Sequence, residues 1–145
     1  MPETLSGLEQ LQAWLSGGAR PPISETMQFD LVEISAGRAV FQGTPGRHAY
    51  NPIGTVHGGY AATLLDSACG CAVHALLSAT QGYTTLELKV SYLRALTVDS
   101  GVVRAEGTVL SFGKRVAFAE AKLLDAAGRL CASATSTLLV FEKKP

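Results

Sequence analysis

The residue of greatest chemical interest in this sequence is Asp66. It is the only Asp, Glu, Lys or Arg between Arg47 and Glu87, and it lies within a run of small and apolar residues at 57–77. Burying an ionised carboxylate without a partner is costly, so an acid in such a run serves either a structural hydrogen bond or a reaction. If neighbouring groups donate hydrogen bonds that keep it ionised, this carboxylate can take a proton from water.

Gly58 and Gly59 stand where a helix is predicted to begin, so their backbone N–H groups are free and unshielded. These groups, together with the helix dipole, favour negative charge. A carbonyl oxygen held there would be polarised, and the negative charge that develops on it in a tetrahedral transition state would be stabilised. The pair therefore predicts an oxyanion site, although two glycines also suit a plain tight turn.

Asn51 and His57 precede the two glycines, and each has a simpler interpretation. His57 can be just the residue at which the helix begins, and Asn51 before Pro52 is a common turn residue. Asp66 can likewise be a buried carboxylate that binds a backbone N–H. The chemical interpretation is favoured because Asn51, His57, Gly58 and Asp66 all fall within one nearly uncharged segment.

Gly58 and Asp66 are separated by about two helical turns, or roughly 12 Å along the axis. One chain therefore does not bring both groups to one carbon atom. Two copies whose long helices pack antiparallel across a two-fold axis would place Gly58 of one against Asp66 of the other. The spacing predicts a dimer with two shared sites.

The element that positions these groups is a long helix predicted over residues 57–77. Because the run is apolar all round, we expect it to be buried on every side. A membrane span of this length is rejected, since Asp66 would lie near the bilayer centre and strand-like sequence follows at once. Alanine and glycine in the run allow a sheet to approach the helix closely.

The rest of the chain is predicted to be one short helix and six strands. A helix is expected over residues 5–16, with a capping box from Ser6 to Glu9, followed by a linker through Pro21 and Pro22. Residues 45–56 form a loop and residues 78–82 a turn. The strands are predicted at 27–34, 38–44, 84–93, 102–112, 115–124 and 130–141.

Short connections make the neighbouring strands antiparallel, so the predicted fold is α+β, a curved antiparallel sheet around one long central helix. In the strand 84–93, strict alternation places Leu86, Leu88, Val90 and Tyr92 on one face and Thr85 on the other. Residues 1–24 are interpreted as the N-terminal helix and linker, and residues 25–145 as the main domain.

Composition narrows the classes of partner. The 145 residues fit one domain, and a formal net charge of zero with a pI near 6.8 argues against nucleic acid and for a small molecule. Residues 1–5 lack the pattern of a signal peptide. Three cysteines, at positions 69, 71 and 131, are interpreted as core residues in a reducing cytoplasm. The histidines at 48, 57 and 74 form no ligand cluster, so neither a metal nor another cofactor is expected.

The combined pattern resembles a known family. Asn51 six residues before His57, Gly58-Gly59 directly after it, Asp66 nine residues after it, and a strand at 82–94 that ends in Tyr-Leu-Arg are similar to the PaaI-type branch of the hotdog-fold acyl-CoA thioesterases. The resemblance covers residues 25–141. It implies a hotdog fold, dimers that commonly pair into tetramers, and hydrolysis of an acyl-CoA thioester at the dimer interface.

The resemblance also implies roles for individual residues. Asp66 would be the general base or nucleophile, with Gly58 polarising the thioester carbonyl and Gly59 beside it at the substrate. Asn51 and His57 would orient the substrate or the attacking water. The remaining implied contacts are to that water, from Thr85 or alternatively Thr84, and to CoA phosphates, from Arg94, Lys114 and Arg115. Ala95 departs from the Pro that this branch often has there.

Two alternative functions stay open at this stage. A non-catalytic acyl-CoA-binding module would share the pocket but release no thiol. A hotdog enoyl-CoA hydratase is less favoured, because such enzymes carry an Asp shortly before the His and residues 48–56 contain no carboxylate. Small acyl or aryl groups are the expected substrates of the thioesterase.

Overall fold

The computed structural model describes residues 4–145 as one antiparallel sheet packed against a long helix. The strand order in the sheet is β1-β2-β4-β5-β6-β3, so β1 and β3 form its two edges. The elements along the chain are α1 (Gly7–Leu15), α2 (Pro22–Met27), β1 (Phe29–Ser35), β2 (Arg38–Gly43), α3 (Gly58–His74), β3 (Gln81–Tyr92), β4 (Val103–Phe112), β5 (Val116–Leu124) and β6 (Leu130–Glu142). The α+β hotdog architecture predicted from the sequence is confirmed.

Helix α3 contacts every strand of the sheet, and small residues make that contact close. Ala68 on the helix and the alanines of β4 and β5 that face it are almost fully buried. At Gly107 a Cβ atom would lie 2.3 Å from the carbonyl oxygen of Ala68, so only glycine fits where β4 crosses the helix. This packing fixes the position of α3 relative to the sheet.

The expectation that α3 is buried on every side is wrong for the single chain. Ala62, Thr63, Asp66 and Ser67 remain partly exposed, while Leu64 and Leu65 between them are fully buried. The sheet covers one side of the helix, and the side that carries Asp66 faces a cavity instead. The helix also ends at His74, three residues before the predicted boundary at position 77.

The N-terminal helix α1 packs on the rest of the domain. The predicted capping box is present at the start of α1, and Leu11 joins the core. The N–H of Gly7 donates to the carbonyl of Leu77, 2.9 Å away. Residues 1–3, part of the segment in which no signal peptide was predicted, lie outside the described residues.

The two prolines of the predicted linker instead begin helix α2, with Pro21 as its N-cap and Pro22 as its first residue. Pro22 occupies the first helical position, where a fixed φ suits the helix and the missing N–H has no bond to lose. Gln28 ends the helix in the left-handed region, with φ of 57°. The first strand therefore starts at Phe29, two residues later than predicted.

The predicted strict alternation in β3 is wrong because the strand contains a β-bulge. The pairing shifts between Thr85, opposite Leu138, and Glu87, opposite Thr137, which leaves Leu86 as the extra residue. Leu86 is 57% exposed. Thr85, predicted to face away from Leu88, lines the same cavity as Leu88. The strand also begins at Gln81, inside the predicted turn.

The end of α3 remote from Gly58 is closed by α1. The Nε2 atom of His74 lies 2.9 Å from Oε1 of Gln10, and burial lowers the pKa of this imidazole.

The three cysteines are all buried and belong to the core, as predicted. Across residues 4–145 we find no helix with both the length and the apolar character that crossing a bilayer requires.

Candidate active site

Asp66 lies near the middle of α3 and is held by one side-chain hydrogen bond. The hydroxyl of Thr85 donates to Oδ1 of Asp66 over 2.9 Å. The bulge at Leu86 makes this contact possible, because it lets Thr85 and Leu88 line one cavity. Within residues 4–145 no other side chain or loop N–H donates to the carboxylate. Most of its acceptor capacity is therefore available to a water molecule or a substrate.

A cavity of about 490 Å³ adjoins Asp66. Its apolar wall includes a cluster of three aromatic rings, in which Trp14 and Phe29 each pack on Phe41 with ring centroids 5.8 and 5.6 Å away. The lining residues are Trp14, Pro21, Ile23, Ser24, Phe29, Phe41, Ala62, Thr63, Asp66, Ser67, Cys71, Tyr83, Thr85 and Leu88. Thr84, the alternative to Thr85 in the sequence analysis, is exposed and does not line this cavity.

The start of α3 is capped by its own histidine. Nδ1 of His57 accepts the N–H of Gly59 over 2.7 Å, so a neutral His57 ring carries its proton on Nε2. The N–H of Gly59 is thus already bonded. Among the described residues the N–H of Gly58 has no acceptor, which leaves Gly58 as the open donor at this helix end.

The loop before α3 is closed by Asn51. Its Oδ1 atom accepts the N–H groups of Ile53 and Thr55, each over 3.1 Å, and its Nδ2 donates to Oγ1 of Thr55. The N–H of His57 donates to the carbonyl of Ala49 over 2.7 Å. The hydrogen bonds of Asn51 therefore stabilise the loop that leads into His57.

Gly58 opens onto a second cavity, of about 300 Å³, which His57, Tyr92 and Arg94 also line. The hydroxyl of Tyr92 donates to the carbonyl of Gly58 over 2.7 Å and ties the end of β3 to the start of α3. Asp66 does not line this cavity. The two groups thus lie on different cavities of one chain, which agrees with their separation of about 12 Å.

The three basic residues predicted to contact CoA are exposed, and they lie at opposite ends of the sheet. The N–H of Arg94 donates to the carbonyl of Cys131, whereas the carbonyl of Arg115 accepts from the N–H of Val140. Those partners are nine positions apart on β6, or about 30 Å of extended strand. Arg94 accompanies Gly58, while Lys114 and Arg115 lie at the end of the sheet where Thr85 and Asp66 meet.

Sequence reasoning missed three residues of these cavities. Tyr92 was treated as one of an alternating apolar set, and Trp14 as part of a helix on the edge of the domain. Ser24 was the last residue of the predicted N-terminal helix and linker, and no motif marked it. Within residues 4–145 no group of three or more His, Cys, Asp and Glu side chains is placed to hold a metal ion.

Comparison with known proteins places this geometry among thioesterases. The chain is 24% identical over 122 residues to a 1,4-dihydroxy-2-naphthoyl-CoA hydrolase of Listeria monocytogenes, which is 84% of this chain and 98% of that protein. It is 47% identical over 62 residues to a candidate esterase of Halobacterium salinarum, a match that spans 39% of this chain and only 41% of that protein.

Solved structures share the whole fold. A thioesterase family protein from Silicibacter pomeroyi superposes with a TM-score of 0.82 at 24% identity, covering 94% of this chain and 99% of that one. A candidate thioesterase related to phenylacetic acid degradation, from Ralstonia eutropha, superposes with a TM-score of 0.79 at 27% identity, covering 88% and 97%.

The family itself is identified by a match of the Thioesterase superfamily model to residues 53–132. That segment contains α3 with Gly58 and Asp66, and it continues through β3 with Thr85 to the beginning of β6. Because the match covers more than half of the sequence, this chain belongs to the thioesterase superfamily.

Proposed function

We propose that this protein hydrolyses acyl-CoA thioesters to a free acid and CoA, with Asp66 as the general base or nucleophile and Gly58 as the carbonyl-polarising donor. The observation that carries the proposal is the Asp66 carboxylate, which faces an aromatic cavity and has Thr85 as its one side-chain hydrogen-bond donor within residues 4–145. The similarity to a naphthoyl-CoA hydrolase supports a CoA thioester as the substrate.

In the general-base route, the thioester carbonyl oxygen lies at the N–H of Gly58. A water molecule bound to Asp66 attacks the carbonyl carbon and gives a proton to the carboxylate. The negative charge on the tetrahedral oxygen is stabilised by the N–H of Gly58 and the helix dipole. The C–S bond then breaks, and the CoA sulfur leaves with the proton returned from Asp66.

In the nucleophilic route, a carboxylate oxygen of Asp66 attacks the same carbon and displaces CoA, which forms a mixed anhydride. Water then hydrolyses the anhydride and releases the acid. Both routes place the same demand on the site: the carbonyl carbon lies within reach of Asp66 while its oxygen lies at Gly58. A single chain does not meet that demand, because these groups lie on separate cavities.

A dimer in which the β3 strands of two copies pair would bring Asp66 of one copy to Gly58 of the other. This strand is 12 residues long and forms an edge of the sheet, where its outer backbone groups can pair with another strand. Along β3, Thr85 contacts Asp66 and Tyr92 contacts Gly58. A two-fold axis near Leu88 and Lys89 would set Thr85 of one copy beside Tyr92 of the other, and thus Asp66 of one beside Gly58 of the other.

The same arrangement explains the separated basic residues. In each shared site, Arg94 would come from the subunit that supplies Gly58, and Lys114 and Arg115 from the subunit that supplies Asp66. Together they would surround the CoA phosphates with positive charge. The family resemblance adds that such dimers pair further into tetramers. His57 would complete the site by offering its Nε2–H to the substrate or the attacking water.

The experiment that tests a shared site is complementation between two inactive variants. Gly58→Pro removes the N–H in question and adds ring atoms near Tyr92. The helix should tolerate it, because proline suits the first helical position and His57 already has an extended backbone, with φ of −58° and ψ of 137°. Gly58→Ala is the matched control, since it adds a Cβ near Tyr92 but keeps the N–H.

Each of Gly58→Pro and Asp66→Asn is expected to be nearly inactive alone in a thiol-release assay. Chains of the two variants, mixed one to one and allowed to exchange, should regain about a quarter of the wild-type rate, because half of the dimers are mixed and each mixed dimer has one intact site. No recovery in verified mixed dimers contradicts a shared site. Tight acyl-CoA binding without thiol release by the wild type favours a binding module, and hydration of an enoyl-CoA favours a hydratase.

A further inference from the structure

Ser24 is a buried serine whose hydroxyl has no partner within the described part of the chain. The residue is 1% exposed, and its Oγ atom neither donates nor accepts a hydrogen bond there. It lies in the short helix α2, beside the aromatic wall of the cavity that contains Asp66. A hydroxyl removed from water without a hydrogen bond lowers stability, so its presence at this position needs an explanation.

A second buried serine shows what an ordinary structural serine looks like in this fold. Ser136 on β6 is 2% exposed, and its hydroxyl donates to the carbonyl of Glu87 over 2.9 Å. That bond ties β6 to β3 next to the bulge. Ser24 makes no such contact within residues 4–145, although it is buried as deeply. A structural role therefore accounts for Ser136 but not for Ser24.

The surroundings of Ser24 indicate the kind of group that would bind there. The cavity has Asp66 and Thr85 among its lining residues, and Trp14, Phe29 and Phe41 contribute its aromatic cluster. Such walls suit a planar ring. In an apolar wall, a single hydroxyl without a protein partner is suited to bond one polar substituent on that ring.

We propose that Ser24 is a specificity-determining residue, which hydrogen-bonds a hydroxyl or similar polar substituent on the ring of an aromatic acyl-CoA. The proposal rests on the function proposed above, because it assumes that the acyl group occupies the cavity beside Asp66. In this arrangement α2, with Ile23 at 51% exposure next to Ser24, forms the wall that selects the acyl group. The N-terminal segment thus determines substrate preference without taking part in the reaction.

The test measures kcat/KM for pairs of substrates that differ by one hydroxyl. The substrates are benzoyl-CoA, phenylacetyl-CoA and their ring-hydroxylated derivatives, which place the hydroxyl at graded distances from the thioester. The wild type should prefer at least one hydroxylated substrate over its plain partner by about tenfold. Ser24→Ala should bring that ratio close to one, while hydrolysis of the plain substrates changes by less than about twofold.

Ser136→Ala is the matched control, since it deletes a hydroxyl that is equally buried but bonded elsewhere. It should lower the thermal midpoint and leave the substrate ratio unchanged. Ser24→Ala should keep or raise the thermal midpoint, because it removes an unpaired polar group. This opposite pattern of stability and selectivity is what a purely structural role of Ser24 would not produce.

Three results would overturn the role of Ser24. They are a wild-type ratio near one for every pair, a ratio that Ser24→Ala does not change, and an equal loss of activity toward plain and hydroxylated substrates. The second of these would mean that a group other than Ser24 recognises the ring hydroxyl. If the wild type hydrolyses neither these aromatic thioesters nor any aliphatic acyl-CoA, the proposed function itself fails. That result differs from the three above, in all of which the wild type hydrolyses a thioester.

Discussion

Two acids of this protein, the partly exposed Asp66 and the buried Asp125, differ in how their hydrogen-bonding capacity is used. Asp125 lies in the turn between β5 and β6 and is 6% exposed. Its Oδ1 accepts the N–H groups of Ala127 and Arg129, and its Oδ2 accepts Nε of Arg129 over 2.8 Å. Among the residues that the structure describes, one side chain donates to Asp66, that of Thr85. The Asp125 carboxylate therefore uses both oxygens within its own turn, whereas the Asp66 carboxylate can accept further hydrogen bonds.

The difference separates a structural acid from one suited to chemistry. The backbone N–H of Arg129, followed by its guanidinium, holds the pKa of Asp125 below the ordinary value of 3.8. Every bond that Asp125 makes closes its own hairpin turn. Asp66 has no basic partner within the described residues, and it faces a cavity large enough for an acyl group. We therefore expect substitutions at the two positions to have opposite consequences for activity and for stability.

The largest expected effect follows from Asp66→Asn. The amide can still accept the hydroxyl of Thr85, so the helix and the dimer should remain folded. It can neither accept a proton from water nor attack a thioester, so kcat should fall by about 10²–10⁴. Thiol release under saturating substrate measures the fall, and circular dichroism with sedimentation checks the folded dimer. Near-normal turnover in a folded Asp66→Asn variant would contradict the assignment.

The sequence predicted Asp66 because its isolation among small and apolar residues is visible without a structure. It also predicted that the strands at 115–124 and 130–141 are antiparallel neighbours with a short connection, which the pairing of β5 and β6 confirms. The saturation of Asp125 could not be predicted, because turn residues are usually exposed and the sequence does not show that this one is buried. The charge pattern therefore identifies an acid within an apolar run, but it does not show that an acid in a turn is buried.

The contact between Thr85 and Asp66 shows a second limit. Period-two alternation gives the faces of a regular strand, and it placed Thr85 opposite to Leu88. A bulge shifts every side chain beyond it to the other face. The bulge is visible only in the pairing of β3 with β6, and the alternating residues of β3 carry no signal for it. Helix α2 was missed for a related reason, since proline marks both linkers and helix starts.

A smaller loss of activity should follow from Thr85→Val. This change keeps the shape of the side chain but removes the hydroxyl that donates to Asp66. Because bonds to charged groups are stronger than neutral ones, kcat should fall by about tenfold. Thr85→Ser should recover most of the rate. Thr84→Val is the matched control. Because the side chain of Thr84 is exposed, this substitution should leave kcat unchanged. Equal effects at 84 and 85 would break the proposed link between Thr85 and Asp66.

The smallest effect on activity is expected for Asp125→Asn, which should change stability instead. The amide keeps an acceptor for the two N–H groups, but its NH₂ group faces Nε of Arg129, and the ion pair is lost. Thermal midpoints near neutral pH should fall by a few degrees, with kcat unchanged.

The pH dependence of this loss of stability follows from the lowered pKa of Asp125. Its stabilisation is fully present above 3.8 and is lost as pH falls through the lower folded-state value. Melting curves of both proteins from about pH 7 down to about pH 3 should therefore converge in acid, and a gap that stays constant, or a loss of turnover in Asp125→Asn, would remove the distinction between the two acids.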